Sequence, residues 1–210
     1  MIVHALQIIS QELNAHLELL SPSNSEDNVE LGNIAPLDKL QSEVSGGDKD
    51  KILITLINVR EEKTLKNGAH YRRNDSTLKT EYFNPPVFLN LYLLISANQV
   101  NYTKALIYLS RIAGFFQTKN VFTHLNTVPV SSSIVPSGEL MDSFKIIIDL
   151  YSCSFEELNH IWGTLGGKQV PAMIYVARLV EVAQKAPPRT GGLVKEVTLN
   201  AHNKKAVEQS

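Results

Sequence analysis

The apolar side chains of this chain follow a helical period in three segments. In the first two, 2–20 and 102–117, they recur at steps of three and four residues with polar side chains between them. Asn101 stands directly before the second segment and suits the N-cap position, because its side-chain oxygen can accept hydrogen bonds from free backbone N–H groups. We therefore predict an amphipathic helix in each segment, with one face buried.

The third helical segment, 154–165, carries a start signal and a stop signal. Ser154 and Glu157 have the spacing of a capping box, in which the hydroxyl and the carboxylate each accept a bond from a free backbone N–H group. Gly166-Gly167 suits a left-handed helix end, which glycine adopts without steric cost. The predicted buried side consists of Leu158, Ile161, Trp162 and Leu165.

Continuous apolar runs rich in β-branched residues predict the strands. The long strands are predicted at 51–60, 87–96, 144–151 and 172–182, and short ones at 29–34 and 121–123. No helix lies between the first two long strands, which disfavours a purely parallel, doubly wound sheet. We predict an α/β (α+β) fold, a mixed β-sheet of about four to five strands with helices packed on one face.

The length of 210 residues favours one domain, which we place at 1–183. The remainder, 184–210, contains PPRTGG and a polar run, and we predict that it forms a linker and a C-terminal tail or arm. Within it, 194–202 (VKEVTLNAH) has enough β character to add as a strand to an exposed sheet. A disordered tail is the alternative.

Charge and cysteine content exclude several classes of partner and site. The formal net charge of -1 argues against non-specific binding to nucleic acid and to anionic membrane surfaces. The single cysteine, Cys153, leaves no intrachain disulfide and no cysteine cluster for a metal. Residues 1–20 lack a basic leader, and no run approaches the roughly 18 apolar residues of a membrane span, so we expect neither a signal peptide nor a transmembrane helix.

The sequence predicts no catalytic, cofactor-binding or metal-binding residues. The six histidines are scattered, and no glycine loop stands between a strand and a helix start. Cys153 lies near a predicted helix start, where a thiol can become reactive, yet no base stands beside it in sequence. A small buried cysteine at a strand end is the simpler interpretation, and we predict a protein that is not an enzyme.

A basic segment follows the first long strand, and its residues allow two interpretations. Its members are Lys63, Lys66, His70, Arg72 and Arg73, interleaved with Tyr71. The first reading is a polar connection between two antiparallel strands. The second is a docking loop, because arginine offers bidentate bonds and tyrosine offers contact area at low entropic cost. A nucleic-acid site is disfavoured, since no wider basic face supports it.

Four separated segments resemble one known family. They read EEKTLKNGAHYRRN, NPPVFLNLYLLISAN, NYTKALIYLSRIAGFFQTKNVFT and SFEELNHIWGTLGGKQVPAMIYVARLV. This pattern is similar to the N-terminal domain of the cap, or tail-terminator, proteins of contractile injection systems of the antifeeding prophage and Photorhabdus virulence cassette type. The resemblance covers about residues 1–183. It implies a tail-terminator-like α/β domain and a structural role.

The resemblance also implies partners and contact residues. It implies a homo-hexameric ring that meets the inner-tube protein and the sheath protein at the end of the tail distal to the baseplate, and ends their growth. The interface candidates carried over are Glu62, Lys63, Thr64, Tyr71, Arg72, Arg73, Asn84, Asn159 and His160. The other matching positions, Pro85, Pro86, Trp162, Gly166 and Gly167, are expected to shape the fold.

Two further readings stay open at this point. One is an adaptor or baseplate-associated structural protein of the same particle, and the other is a small hydrolase acting from Cys153 or a histidine. The expected partners include neither nucleic acid nor membrane. Synthesis and assembly are expected in the cytoplasm, with extracellular release of the finished particle as an option.

Overall fold

The computed structural model divides the chain into two compact units. One unit comprises 1–67 and 86–184, and the other comprises 68–85 and 185–210. The residues that the structure describes are 1–20, 29–35, 50–64, 71–74, 79–82, 84, 86–130, 134–167, 169–182 and 189–191. No helix among these residues is long and apolar enough to cross a membrane.

The three predicted helices and the six predicted strands lie close to their predicted positions, and the described residues contain three further strands that were not predicted. The α-helices are α1 (Ile2–Leu20), α2 (Tyr102–Thr118) and α3 (Phe155–Thr164). The strands are β1 (Val29–Leu31), β2 (Lys51–Glu61), β3 (Tyr71–Asn74), β4 (Lys79–Tyr82), β5 (Val87–Asn98), β6 (Val121–Thr123), β7 (Lys145–Leu150), β8 (Ala172–Val182) and β9 (Arg189–Gly191).

The first unit is built on a mixed six-stranded sheet. Its strand order is β1-β2-β5-β8-β7-β6, in which β1 and β2 are parallel and all other neighbours are antiparallel. The predicted fold class is therefore confirmed. The sheet has six strands where about four to five were expected, because both short strands join it, one at each edge.

Helices α1 and α2 cover one face of this sheet and form the larger core with it. Side chains alternate along a strand, so Leu91, Leu93 and Ile95 of β5 point to this face and are fully buried. They pack in one cluster with α1 and with the aromatic side of α2, including Phe115 and Phe116. The amphipathic pattern of both helices thus identifies their buried sides correctly.

Helix α3 lies on the opposite face, which corrects the expectation of helices on one face only. Trp162 packs in a second cluster with Leu94 of β5 and Ile174 of β8. Leu94 lies between Leu93 and Ile95 in the strand and therefore points the other way. The helical period of a segment reveals which side is buried but not which face of a distant sheet will bury it.

The local signals at the helix ends are confirmed. Asn101 accepts from the backbone N–H groups of Thr103 (2.9 Å) and Lys104 (3.2 Å) at the start of α2. The capping box of α3 is complete. At its end Gly166 and Gly167 have φ angles of 100° and 77°. The helix thereby ends where a left-handed backbone reverses the chain.

Edge strand β1 is held by helix α1 as well as by its neighbour strand. The Asn14 amide donates to the Val29 carbonyl (3.0 Å) and accepts from the Val29 N–H (2.8 Å). The Ser10 hydroxyl also donates to the Val29 carbonyl, at 3.2 Å. The Asn14 side chain thus bonds both the N–H and the C=O that Val29 turns away from β2. This leaves neither group free to pair with another strand at the edge of the sheet.

The second unit contains a three-stranded antiparallel sheet of order β3-β4-β9. Tyr71 pairs with Tyr82 and Arg72 with Glu81. The basic segment is therefore partly a hairpin, and the middle of PPRTGG, predicted as linker, is a strand added to it.

The predicted arm 194–202 lies outside the described residues. The domain boundary at 183/184 stays a prediction.

Candidate interaction surface

The predicted contact segment begins where β2 ends, and its first residues bind one another. The Glu62 N–H donates to the Phe88 carbonyl at 2.8 Å and so continues the ladder between β2 and β5. The Glu62 carboxylate accepts from the hydroxyl of Thr64 (2.5 Å) and from its N–H (3.2 Å). Its second oxygen accepts from the Asn90 amide at 2.9 Å. Three hydrogen bonds therefore hold this carboxylate in place.

Asn90 reaches Glu62 from an irregular position in the sheet. The pairing of β5 with β8 skips Asn90, since Leu89 lies opposite Val180 and Leu91 opposite Ala177. Two residues of β8 thus face one of β5, which is the arrangement of a β-bulge. The second of them, Leu179, has a φ of 65°, a left-handed conformation that costs a non-glycine residue about 1–2 kcal/mol.

The hydrogen bonds to Glu62 keep its carboxylate ionised at pH values where a glutamate side chain is ordinarily protonated. They lower its pKa to about 2; the Thr64 hydroxyl makes the largest contribution, followed by the Asn90 amide and the Thr64 N–H. The folded pKa is lower than the ordinary value, so this group stabilises the fold above pH 4.5. That contribution is lost as the pH falls through the folded pKa near 2.

Replacing Thr64 by alanine should raise the pKa of Glu62 toward its ordinary value, because the hydroxyl that contributes most is removed. Thr64→Ser keeps a hydroxyl at the same place and should leave the pKa low. A carboxyl ¹³C NMR titration of both variants measures the effect. Equal midpoints in the two variants would show that the hydroxyl does not hold the carboxylate.

A groove of about 730 Å³ opens between the second half of β2 and helix α3. Its lining includes Leu56, Arg60, Tyr92, Tyr151, Glu157 and His160. The floor is the sheet face that α3 covers only in part, and the rim carries charged and hydroxyl groups. This mixture of apolar floor and polar rim suits the contact of another protein.

A row of four side chains in mutual contact crosses the groove, and we call it the ladder; its members are Arg60, Tyr92, Tyr151 and Glu157. The Arg60 guanidinium lies 5.0 Å from the centre of the Tyr92 ring, and Tyr92 meets Tyr151 edge to face at 5.3 Å. The Tyr151 hydroxyl donates to Glu157 at 3.3 Å. Each group of the ladder is thus oriented by the next one.

The pKa values of three groups in this groove are shifted by burial, by a hydrogen bond or by a neighbouring charge. The backbone N–H of Ser154 lowers the pKa of Glu157, while the negative charge of Glu157 raises the pKa of the Tyr151 hydroxyl. Burial and then Glu157 raise the pKa of the Cys153 thiol, which disfavours the reactive thiolate that a helix start can otherwise promote. Among the described residues no group of three or more His, Cys, Asp and Glu side chains could hold a metal ion.

The nine interface candidates are distributed over both units. Glu62, Lys63 and Thr64 belong to the first unit, with Lys63 and Thr64 exposed. Asn159 and His160 are also exposed in this unit, on α3, and His160 lines the groove.

The other candidates belong to the second unit. Tyr71 and Asn84 are exposed, and the backbone of Arg72 and Arg73 is part of β3. The side chains of these two arginines, and the whole of Lys66, His70 and Pro85, lie outside the described residues. A contact role for the nine candidates therefore stays a prediction.

Sequence reasoning missed the ladder of Arg60, Tyr92 and Tyr151. All three lie within or directly after apolar runs that were interpreted only as core strands. A signal was present, because arginine and tyrosine place a polar tip beyond an apolar stem and therefore favour the end of a strand or the rim of a pocket. That these residues meet follows only from the strand order, in which β5 lies beside β2 and is joined to β7 through β8.

Comparisons with known proteins agree with this architecture. A family model described as the Pvc16 N-terminal domain matches residues 4–196. No match was found among curated proteins.

Two solved structures share the fold. The sheath/tube terminator of the PVC extracellular contractile injection system in its extended state aligns with a TM-score of 0.56 and 11% identity, over 95% of this chain and 65% of that one. The tube-terminating cap of the anti-feeding prophage aligns with a TM-score of 0.56 and 11% identity, over 93% of this chain and 59% of that one. The chain thus spans less than two thirds of the length of either protein.

Proposed function

The chain belongs to the Pvc16 N-terminal domain family, and from this membership we propose that it is a cap, or tail-terminator, subunit of a contractile injection system. It ends the growth of the inner tube and the sheath by geometry, because a ring matched to the symmetry of the tube blocks further addition. The observation that carries the proposal is the family match over 4–196, together with the fold shared with two terminator proteins.

The proposed role is structural and not enzymatic. The groove supports this view, because its carboxylate and phenol are joined by a hydrogen bond and burial raises the pKa of its thiol, which disfavours the thiolate. Such groups bind and orient a partner, whereas nucleophilic catalysis requires an activated nucleophile beside a base. The hydrolase reading has no comparable support.

The proposed partners are the inner-tube protein, the sheath protein and further copies of this chain in a homo-hexameric ring. Assembly is proposed to take place in the cytoplasm. The nine candidate residues, from Glu62 to His160, are proposed as contacts, and the hairpin β3–β4, which contains Arg72 and Arg73, is the part that suits a charged partner surface. An adaptor or baseplate-associated role in the same particle is the alternative.

Particles produced without this protein are expected to have tails of irregular length, because tube and sheath growth has lost its stop. Electron microscopy of negatively stained particles measures the length distribution. Supplying the wild-type chain in the same cells should restore uniform tails. The double variant Arg72→Glu/Arg73→Glu should fail to restore them, whereas Lys145→Glu, an exposed charge reversal on β7, should succeed.

Uniform tails in particles that lack the protein would contradict the terminator role. Labelled protein found at the baseplate end would favour the adaptor reading instead. Restoration by Arg72→Glu/Arg73→Glu would leave the terminator role intact and remove only the proposed docking function of the hairpin.

A further inference from the structure

Strand β2 has a neighbour on its outer side along only part of its length. Strand β1 pairs with residues 52–54 of β2, and the last bond between them runs from the Gly32 N–H to the Ile54 carbonyl at 3.2 Å. On the inner side, β5 pairs with β2 along its whole length. No other strand among the described residues lies beside 56–61 of β2. The second half of β2 is therefore an open edge of the six-stranded sheet.

Backbone groups of this open edge point away from β5 at alternate residues. Leu56 lies two positions after Ile54, whose carbonyl faces β1, so the backbone of Leu56 faces the same side. The Glu62 N–H bonds to β5, and alternation then turns the backbone of Val59, three positions earlier, away from β5. The Val59 N–H is instead bound by the Asn58 side chain at 2.8 Å, a local bond that an incoming strand can replace. The edge thus offers backbone hydrogen bonds to a further strand.

The groove of about 730 Å³ continues around this edge to the other face of the sheet. Its lining includes Leu6 of α1 and Leu31 of β1 as well as His160 of α3, and the two helices cover opposite faces. A space beside an open strand and between two helix layers has the position of one more strand. Residues 56–61 span about 20 Å at roughly 3.3 Å per residue, which is an ordinary strand length. We call the space beside 56–61 the strand slot.

The side of the strand slot that faces α1 is apolar. Cross-strand partners share a face of the sheet, so Leu56 and Val59 lie on the same face as their partners Leu93 and Leu91 in the larger core. They nevertheless expose 37% and 41% of their surface. Natural sheets ordinarily protect an open edge with charged side chains or proline. An open edge with exposed apolar side chains therefore suits a strand that covers it.

The side of the strand slot that faces α3 carries a basic group. The Arg60 guanidinium lies over the Tyr92 ring and forms no ion pair with a described residue. The carboxylate of Glu157, on the same side of the groove, is bound by the Tyr151 hydroxyl and by the Ser154 N–H. The strand slot therefore suits an extended segment with one apolar face and one polar face that includes a carboxylate.

Residues 194–202 (VKEVTLNAH) have this pattern. From 196 to 201 apolar and polar side chains alternate, so an extended conformation places the two sets on opposite faces. The apolar set is Val197, Leu199 and Ala201, and the polar set is Glu196, Thr198 and Asn200. Glu196 supplies the carboxylate that complements Arg60. The segment belongs to 192–210, which follow β9 and lie outside the described residues.

We propose that residues 194–202 of one copy of this chain pair as a strand with 56–61 of β2 in the next copy. The occupant is a second copy because a slot and an arm are two unlike surfaces, and a head-to-tail ring closes through unlike surfaces. The inference rests on the proposed ring-forming function and identifies the contact that joins neighbouring copies.

Photo-crosslinking in assembled particles tests the occupant of the strand slot. Lys195 is replaced by a diazirine analogue of lysine, which keeps the length and the charge of the side chain. Irradiation should link copies of the chain into a ladder on a denaturing gel. Mass spectrometry should place the link within 56–61 or at Leu6 of the linked copy. The same analogue at Lys145, an exposed position on β7, is the matched control and should give no link to 56–61.

A charge exchange tests the match between the arm and the slot. Arg60→Glu and Glu196→Arg should each lower the yield of the Lys195 link by about tenfold or more, because like charges then meet in the slot. The variant with both changes should recover the yield, since opposite charges meet again. Lys145→Glu, a charge reversal outside the slot, should leave the yield unchanged. A double variant as weak as the single variants would contradict the pairing of these two charges.

The outcomes separate this inference from the proposed function. A link to 56–61 in protein that migrates as a monomer would mean that the arm binds its own chain, and would overturn the exchange between copies. A link to the tube or sheath protein alone, or no link at all, would also overturn the proposal. Irregular tails in particles without the protein would still support the terminator role in these cases, and uniform tails would contradict that role independently.

Discussion

Replacing Trp162 by alanine is expected to lower the free energy of unfolding by about 3–5 kcal/mol. The side chain is 5% exposed and lies at the centre of the cluster that joins α3 to the sheet. Leu94 and Ile174 of the same cluster lie in different strands, and Ile34 lies in the segment after β1, so they cannot close the cavity without moving the backbone. Denaturant unfolding, followed by circular dichroism at a protein concentration where the chain is monomeric, measures the change.

The matched control is Phe155→Ala on the same helix. This side chain is 92% exposed, so its removal should change the unfolding free energy by no more than about 0.5 kcal/mol. A loss below about 1 kcal/mol for Trp162→Ala would contradict the packing of α3 on this face. A large loss for both variants would instead mean that Phe155 is buried by a contact within the monomer.

Replacing Asn14 by leucine is expected to cost about 1–3 kcal/mol, because it leaves the N–H group of Val29 without its partner. The Asn14 amide binds both backbone groups of Val29, at 2.8 and 3.0 Å, while Ser10 supports only the carbonyl. Leucine has the same branched arrangement of four side-chain heavy atoms, so it leaves no cavity and the lost hydrogen bonds dominate. Denaturant unfolding measures the global change.

Amide hydrogen exchange shows where the Asn14→Leu variant is weakened. Exchange at Val29 should accelerate, while exchange in the centre of β5, such as at Leu93, should follow only the global change. Glu18→Leu, at an exposed position of the same helix, should alter neither. Unchanged protection of Val29 would contradict the role of the Asn14 side chain as the acceptor for its N–H group.

The helices, their ends and the long strands could be predicted because their causes are local. Asn101 caps α2 through bonds to residues two and three positions away, and the capping box at Ser154 spans three positions. The periods of apolar residues likewise reflect which side of each element is buried. The family resemblance rested on the same segments and is confirmed by the family match over 4–196.

The candidate surface was predicted only in part. Glu62, Thr64 and His160 were identified through the resemblance, but no sequence signal indicated that Glu62 and Thr64 bind each other or that His160 borders a groove. The ladder from Arg60 to Glu157 went unseen. Its members are separated by long stretches of chain and meet only because the sheet brings β2, β5 and the end of β7 together.

The segment that follows β2 shows where sequence-based inference ends. Its basic and aromatic residues predicted a polar, exposed connection, and the structure gives part of it the form of the hairpin β3–β4. The strand that completes this small sheet, β9, comes from a stretch whose prolines and glycines indicated a linker. Pairing between distant segments depends on backbone geometry rather than on composition. It therefore cannot be predicted from the residues of either segment alone.

The sequence was sufficient to predict the three helices, the six strands of the larger sheet, the helix-end signals and the family, because short-range sterics, local hydrogen bonds and hydrophobic period act within a few residues. The strand order and the placement of α3 on the face opposite α1 and α2 became evident only from the tertiary structure. Those features depend on which distant side chains exclude water together, and the hydrophobic effect that drives this burial is non-directional. Only the assembled sheet selects among the faces that each amphipathic helix could cover.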